Sequence, residues 1–281
     1  MAANPKSLAK ELSKRGPHSV LRGDLALAGQ PGVVYTPAEG FNLPAVAFGH
    51  GWLTNVGKYT ALFEHLASWG IVVGAPSTER GPVPSAVGLA TDLHTTLDIC
   101  LGVRLGTGRI SVHPDRLAFV GHGFGAGAAV LAAARREVAA VASLYPAPTS
   151  PRASDAAAQV TAPGLVLVGE KSVGSMTSDA AAVAASWGGD VQLRVVEKSD
   201  DNGLAEGRRM LAALGIGGNE RRTQQHTRSL LTGFLLHRLN GDKTYAAFSD
   251  PTAEIPGSIA LTDPNSIDRE LGSQINLLLG R

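Results

Sequence analysis

Apolar residues recur along this chain in two alternating rhythms. Short strand-like runs, several of them unbroken and apolar, stand at Pro44–Phe48, Gly70–Gly74, Arg116–Val120, Val138–Leu144, Gly164–Val168 and Val191–Val196. Such runs predict strands buried on both faces, because a strand with one wet face alternates apolar and polar residues. Between them lie stretches with helical spacing. Leu62, Phe63, Leu66 and Trp69 mark a helix over Tyr59–Trp69, and Leu89, Leu93, Leu97 and Leu101 mark one over Val87–Leu101. Further helices are predicted over Ala128–Arg136, Asp179–Ser186, Leu204–Leu214 and Thr223–Leu239. Residues 6–15 read as a short basic amphipathic helix packed on the domain. Asp24–Tyr35 reads as a strand or hairpin that turns at Gly29-Gln30-Pro31-Gly32. The pattern after Asp250 is mixed and predicts no element. Strand–helix alternation with doubly buried strands predicts a three-layer α/β fold, a mostly parallel sheet with helices on both faces.

Composition narrows the function classes. The 281 residues are 44% hydrophobic and 17% charged, which suits a large buried core. Basic and acidic side chains number 25 and 24, so nothing favours nucleic acid, which needs a basic excess. Cys100 is the single cysteine, which excludes an intrachain disulfide and any zinc site built from several cysteines. The start of the chain has no apolar core of signal-peptide length, and no stretch is long and apolar enough for a membrane span. The expectation is a cytoplasmic protein with no cofactor.

The informative segment is Leu117-Ala118-Phe119-Val120-Gly121-His122-Gly123-Phe124-Gly125-Ala126-Gly127, a glycine-rich turn between a strand and a helix. Two chemistries use such a turn. Gly121-His122-Gly123-Phe124-Gly125-Ala126 fits the dinucleotide fingerprint Gly-x-Gly-x-x-Gly/Ala. Against this reading, the turn lies after several strands, and the next strand ends Leu144-Tyr145-Pro146 with no acid for a ribose hydroxyl. The second is the nucleophile elbow, Gly-x-Ser-x-Gly, with Gly121 and Gly125 as the flanking glycines. Gly123 then holds the nucleophile position, and glycine cannot form an acyl-enzyme.

With these residues in view, the chain resembles α/β-hydrolases of the dienelactone hydrolase, cutinase-like polyester hydrolase and chlorophyllase type, over roughly residues 16–250. The resemblance rests jointly on Val34-Tyr35-Thr36-Pro37, Gly49-His50-Gly51-Trp52, Leu66-Ala67-Ser68-Trp69-Gly70-Ile71-Val72-Val73, Val112-His113-Pro114-Asp115-Arg116-Leu117-Ala118 and Leu236-His237-Arg238-Leu239-Asn240-Gly241-Asp242. It implies a Ser, Asp/Glu, His triad in chain order. The matching positions hold Gly123, Ser172 and Asn202, so all three are replaced; Glu170 is the nearest displaced acid. The resemblance also implies an oxyanion hole from the backbone N–H groups of Trp52 and Phe124, with His50 and His122 beside it. Loss of nucleophile, base and orienter together points to a natural non-hydrolytic descendant.

Other groups carry weaker alternatives. His50 and His122 meet at one sheet edge, but a metal pair needs a third ligand, and hydrogen-bonded bracing is the simpler expectation. Cys100, beside Leu97 and Leu101, reads as a buried inert thiol. His226 follows the expected histidine loop. Ser175 and Ser178 read as turn residues, and so do Asp200 and Asp201, with calcium a remote option. The reading is therefore an N-terminal helical extension at 1–15, a hydrolase-like domain at 16–250 and a tail at 251–281. Its function is that of a catalytically degenerate binding, regulatory or scaffolding protein. The alternatives are an esterase-type hydrolase with a displaced triad and, more weakly, dinucleotide binding. The partners implied are a small acyl or carbonyl-bearing ligand, and a protein or second copy.

Overall fold

The computed structural model describes residues 4–106, 108–207 and 220–261. Nine strands form one sheet: β1 Val20–Asp24, β2 Gly32–Pro37, β3 Gly40–Gly49, β4 Val72–Pro76, β5 Ile110–His122, β6 Ala140–Leu144, β7 Gly164–Gly169, β8 Val191–Val196 and β9 Ser258–Leu261. Their order is β1-β2-β4-β3-β5-β6-β7-β8-β9. Pairings from β4 through β3 to β8 are parallel, whereas β1–β2, β2–β4 and β8–β9 are antiparallel. Every residue of β4, β6 and β7 is buried, as continuous apolar runs require when both faces are covered.

The described helices are α1 Pro5–Leu12, α2 Thr60–Ser68, α3 Ala86–Gly102, α4 Phe124–Ala133, α5 Ala153–Ala157, α6 Ala180–Ala185 and α7 Glu220–Asn240. They divide between two cores on opposite faces of the sheet. One holds Leu89, Leu93 and Leu97 of α3, Val130 of α4 and Val183 of α6. The other holds Leu12 of α1, Phe63 and Leu66 of α2, and Leu231, Phe234 and Leu235 of α7. The three-layer α/β architecture is thus the one the pattern predicts.

The departures have local causes. Of the two readings of Asp24–Tyr35 the structure has the hairpin, β1 antiparallel to β2, but its first arm is Val20–Asp24 and its connection is longer: Asp24 accepts from the Ala26 N–H, starting a 3-10 turn at Leu25–Ala28 that Gly29 ends at φ 90°. The strand before the glycine turn is longer than Arg116–Val120, reaching back to Ile110. Its pairing with β3 shifts register between Val112 and Leu117, a stretch containing Pro114, which has no N–H for the ladder. Helix α4 begins at Phe124, four residues before the predicted Ala128. After Asp250 the chain returns to the sheet as β9 on β8. The expected helix at Leu204–Leu214 begins instead in a 3-10 turn over Asp201–Leu204, and its part beyond residue 207 lies outside the described residues.

Candidate functional site

Parallel strands end together, so the loops after β3, β4, β5, β6 and β8 gather at one edge of the sheet. Backbone strain concentrates there. Leu53, Glu79, Tyr145 and Lys198 have φ between 50° and 53° without being glycine, and each follows one of these strands. Such conformations cost about 1–3 kcal/mol each and collect where a site over-determines the backbone.

The turn after β5 is the sharpest. Gly123 sits at φ 56°, ψ −117° between β5 and α4. The flanking glycines are required by contact. A Cβ on Gly121 would lie 1.9 Å from the Gly125 carbonyl oxygen, and one on Gly125 would lie 2.2 Å from the Gly49 oxygen. Helix α4 therefore starts pressed against the ends of β3 and β5. Gly123 differs, because a Cβ there would face open space, its nearest neighbour being the Gly51 Cα at 3.8 Å. The position is a sharp strand-to-helix turn that looks out on open space and bears no side chain.

His122 is buried, and its hydrogen bonds fix its tautomer. Its Nε2 lies 2.7 Å from the Asp201 carbonyl oxygen, which can only accept, so Nε2 carries the proton. Bare Nδ1 then accepts from the Tyr59 hydroxyl at 2.7 Å, and that hydroxyl accepts from the Gly51 N–H at 3.0 Å. One chain of bonds thus ties the loops after β8, β5 and β3 to the turn entering α2. His50 is fully buried and braces a second join, with its ring nitrogens 2.9 Å from the Gly51 oxygen and 2.7 Å from the Thr78 oxygen. The two histidines are committed to separate partners as braces. Among the described residues no group of three or more His, Cys, Asp or Glu could hold a metal ion.

The other predicted site residues separate. Ser172 lies in a 3-10 turn just after β7, with its side chain close enough to the Asp201 carboxylate to favour the charged form. Asn202 is exposed and gives its N–H to Asp200. Asp201 is the residue of this loop that turns inward, with Oδ1 accepting from the Gly169 N–H at 2.7 Å. Burial pushes its carboxyl up to about 6, against the opposing pull of the Gly169 and Ser172 donors. The Trp52 ring is half exposed, with Nε1 donating to the Pro82 oxygen, while the Phe124 ring is buried in the core beside α3. Phe124 is the first residue of α4, so its N–H has no acceptor within the helix. The apolar side chains of Trp52, Leu53, Val83 and Met176 are all exposed in loops at this edge.

Sequence reasoning missed Tyr59, Asp201 and Tyr145. Tyr59 looks like an ordinary helix start, and nothing in its neighbourhood signals that its hydroxyl reaches β5. Tyr145 is fully buried, and its hydroxyl lies 2.6 Å from Thr227 Oγ1 on α7. Its apolar surroundings raise its pKa, so it is a neutral brace. Asp201 had one available signal: of the acidic pair Asp200-Asp201, only one can cap the turn while the other faces in. Cys100 is buried among α3 and β4 residues, and desolvation pushes its thiol up to about 12, which makes it inert as a nucleophile. His226 packs against Gly257, in the turn just before β9.

The site thus offers backbone donors, a protonatable carboxyl and an apolar rim around an elbow that lacks a hydroxyl or thiol. No protein-family model matches the chain, and no curated protein matches it.

Proposed function

We propose that this protein is a catalytically degenerate α/β-hydrolase-fold protein whose cleft above Gly123 binds a small ligand bearing a carbonyl or carboxylate. The observation carrying the proposal is Gly123 itself, held at φ 56°, ψ −117° in a nucleophile elbow with open space where a side chain would stand. The strand order, with its antiparallel β2 and the elbow after β5, supports the hydrolase ancestry. The Gly51 Cα neighbours Gly123, so the peptide leading to the Trp52 N–H runs beside the elbow. Together with the Phe124 N–H and the start of α4, it offers donors to a negatively polarised oxygen. His122 is spent on bracing: its bare nitrogen already receives the Tyr59 proton, so it does not serve as a base for an incoming nucleophile. A cytoplasmic setting fits the single buried thiol.

The test has two arms. Purified protein with p-nitrophenyl acetate should show no turnover above buffer. Gly123→Ser should add little, because a hydroxyl without a base is a weak nucleophile. In an amide NMR titration with butyrate, the Trp52 and Phe124 N–H signals should move most. Rapid ester turnover abolished by one cleft substitution would overturn the proposal in favour of a displaced triad.

A further inference from the structure

Strand β1 closes one side of the sheet. It pairs with β2, and among the described residues nothing pairs with its outer side. Leu21, Arg22, Gly23 and Asp24 are all exposed. The register fixes which backbone groups face outward. The Ala38 N–H donates to the Ser19 oxygen at 2.8 Å, so these residues form a hydrogen-bonded pair at the entry to β1. In an antiparallel ladder such pairs alternate, which makes Leu21–Thr36 and Gly23–Val34 the next ones. Pro37, opposite Val20, falls in a pair that exchanges no bonds, where its missing N–H costs this ladder nothing. Val20, Arg22 and Asp24 are left with N–H and C=O groups pointing away from β2, ready to template an added strand.

An edge strand with charges of one sign repels a second copy. The two charges of β1 are opposite. Arg22 and Asp24 stand two residues apart, hence on one face, and among the described residues neither is in an ion pair. Asp24 Oδ1 accepts the Ala26 N–H, which holds its carboxylate at the strand end. When β1 pairs antiparallel with its own copy, outward residues must stand opposite outward residues. Centring that pair on Arg22 or on Asp24 sets a charge against itself, and centring it on Leu21 sets Arg22 opposite Val20. Centring it on Gly23 sets Arg22 opposite the partner's Asp24, and Asp24 opposite the partner's Arg22. Both become hydrogen-bonded pairs that exchange backbone bonds in each direction. Gly23 then meets the partner's Gly23 on the two-fold axis, where Cα atoms approach to about 4.5 Å and no side chain intervenes. Leu21, 40% exposed, comes opposite the start of the partner's turn at Leu25–Ala28, in which Leu27 is 92% exposed.

We propose that β1 is a docking edge for a second copy of this chain, paired antiparallel across a two-fold axis at Gly23 so that two sheets join into one. The interface is self-complementary and uses the same edge of both copies, so assembly stops at the dimer. With only five residues in β1 the contact is small, which gives a transient dimer with a Kd on the order of 100 µM.

Sedimentation equilibrium of the full chain at low salt, from about 10 µM to about 1 mM, tests this. The wild type should pass from monomer to dimer across that range. Arg22→Asp and Asp24→Arg each give the strand charges of one sign, and each should weaken self-association at least about tenfold. Mixed in equal amounts, the two variants should pair with each other about as tightly as the wild type pairs with itself, because every acid then faces a base. Melting temperatures are recorded, since Asp24→Arg also removes the acceptor for the Ala26 N–H. Arg22→Pro removes an outward N–H while leaving the bonds to β2 in place, and should abolish the dimer. A chain that stays monomeric to about 1 mM overturns the proposal. So does a dimer that survives Arg22→Pro, association beyond the dimer, or failure of the two folded charge variants to pair with each other.

Discussion

Glycines two positions apart in the turn after β5 are there for different reasons, and substitution should separate them. Gly121 is glycine because its Cβ would overlap the Gly125 carbonyl at 1.9 Å, a backbone contact with no flexible end to yield. Gly123 has room for a Cβ, but its φ of 56° and ψ of −117° are strained for any L-residue. Gly121→Ala should therefore cost about 3 kcal/mol or more through forced separation of α4 from β5. Gly123→Ala should cost about 1–3 kcal/mol, from backbone strain alone. Urea denaturation of the two variants checks the ranking, and a Gly123→Ala variant as stable as the wild type would show that the turn conformation is not strained. Gly123→Val adds the crowding of a branched side chain to the same strain and should fall at the upper end of that range. At this scale the sequence was most legible. The elbow's left-handed turn follows from its glycine spacing, because only glycine relieves both overlap and positive φ. The inward partner of that turn was not legible: Asn202 matched by position, whereas Asp201 is the residue whose carboxylate turns inward onto the Gly169 N–H. A one-residue shift in a loop carries no periodic signal.

Elements were legible where their hydrophobic pattern was strong. Strands β3 to β8 and helices α2, α3 and α7 all contain long apolar stripes, and the core residues Leu62, Phe63, Leu66, Leu89, Leu93 and Leu97 are buried as their spacing predicts. Short or edge elements were not, because they bury little: α5 has five residues, and β9 has only one buried residue. What joins the elements is equally silent in the sequence. Tyr59 at the entry to α2 connects β5 to the loop after β3 through a single hydroxyl. Tyr59→Phe should cost about 2 kcal/mol, since the buried groups bonded to that oxygen lose a partner while the ring still packs on Phe48 and Phe63. Faster amide exchange at Gly51 and Trp52, with α2 unchanged, is the expected local signature. Protection lost evenly across α2 would mean that the hydroxyl supports the helix and not the loop. The start of α3 gives a simpler comparison. The Ser85 hydroxyl accepts from the Gly88 N–H at 2.9 Å, so Ser85→Ala should cost about 1 kcal/mol without local change at the cleft.

At the scale of the whole molecule, two buried titrating groups act against each other. His65 of α2 lies between α1 and α7, with Nε2 3.1 Å from Thr232 Oγ1. Burial, aided by the Arg228 charge, lowers its pKa to about 4 from 6.5. The folded protein thus resists protonation that the unfolded chain accepts below pH 6.5, so this group's contribution to stability is lost as pH falls from 6.5 toward 4. Asp201 does the reverse. Burial raises its carboxyl from 3.8 to about 6, so its contribution is fully present below pH 3.8 and is lost as pH rises through 6. Each shift corresponds to about 3 kcal/mol, and the windows overlap. The two slopes therefore oppose each other between about pH 4 and 6. Removing one exposes the other. Asp201→Asn keeps an oxygen for the Gly169 N–H but cannot ionise, so it should stabilise the protein above pH 6 by about 2–3 kcal/mol. That variant should then lose stability steadily on acidification, following His65 alone. His65→Gln should show the opposite tilt, weakening as pH rises from 4 to 6. Chemical denaturation of the three proteins across this range measures both slopes. Parallel curves for Asp201→Asn and wild type would show that the Asp201 carboxyl titrates alike in the folded and unfolded chains, and with that the buried acid at the elbow edge would be lost as a feature of the site.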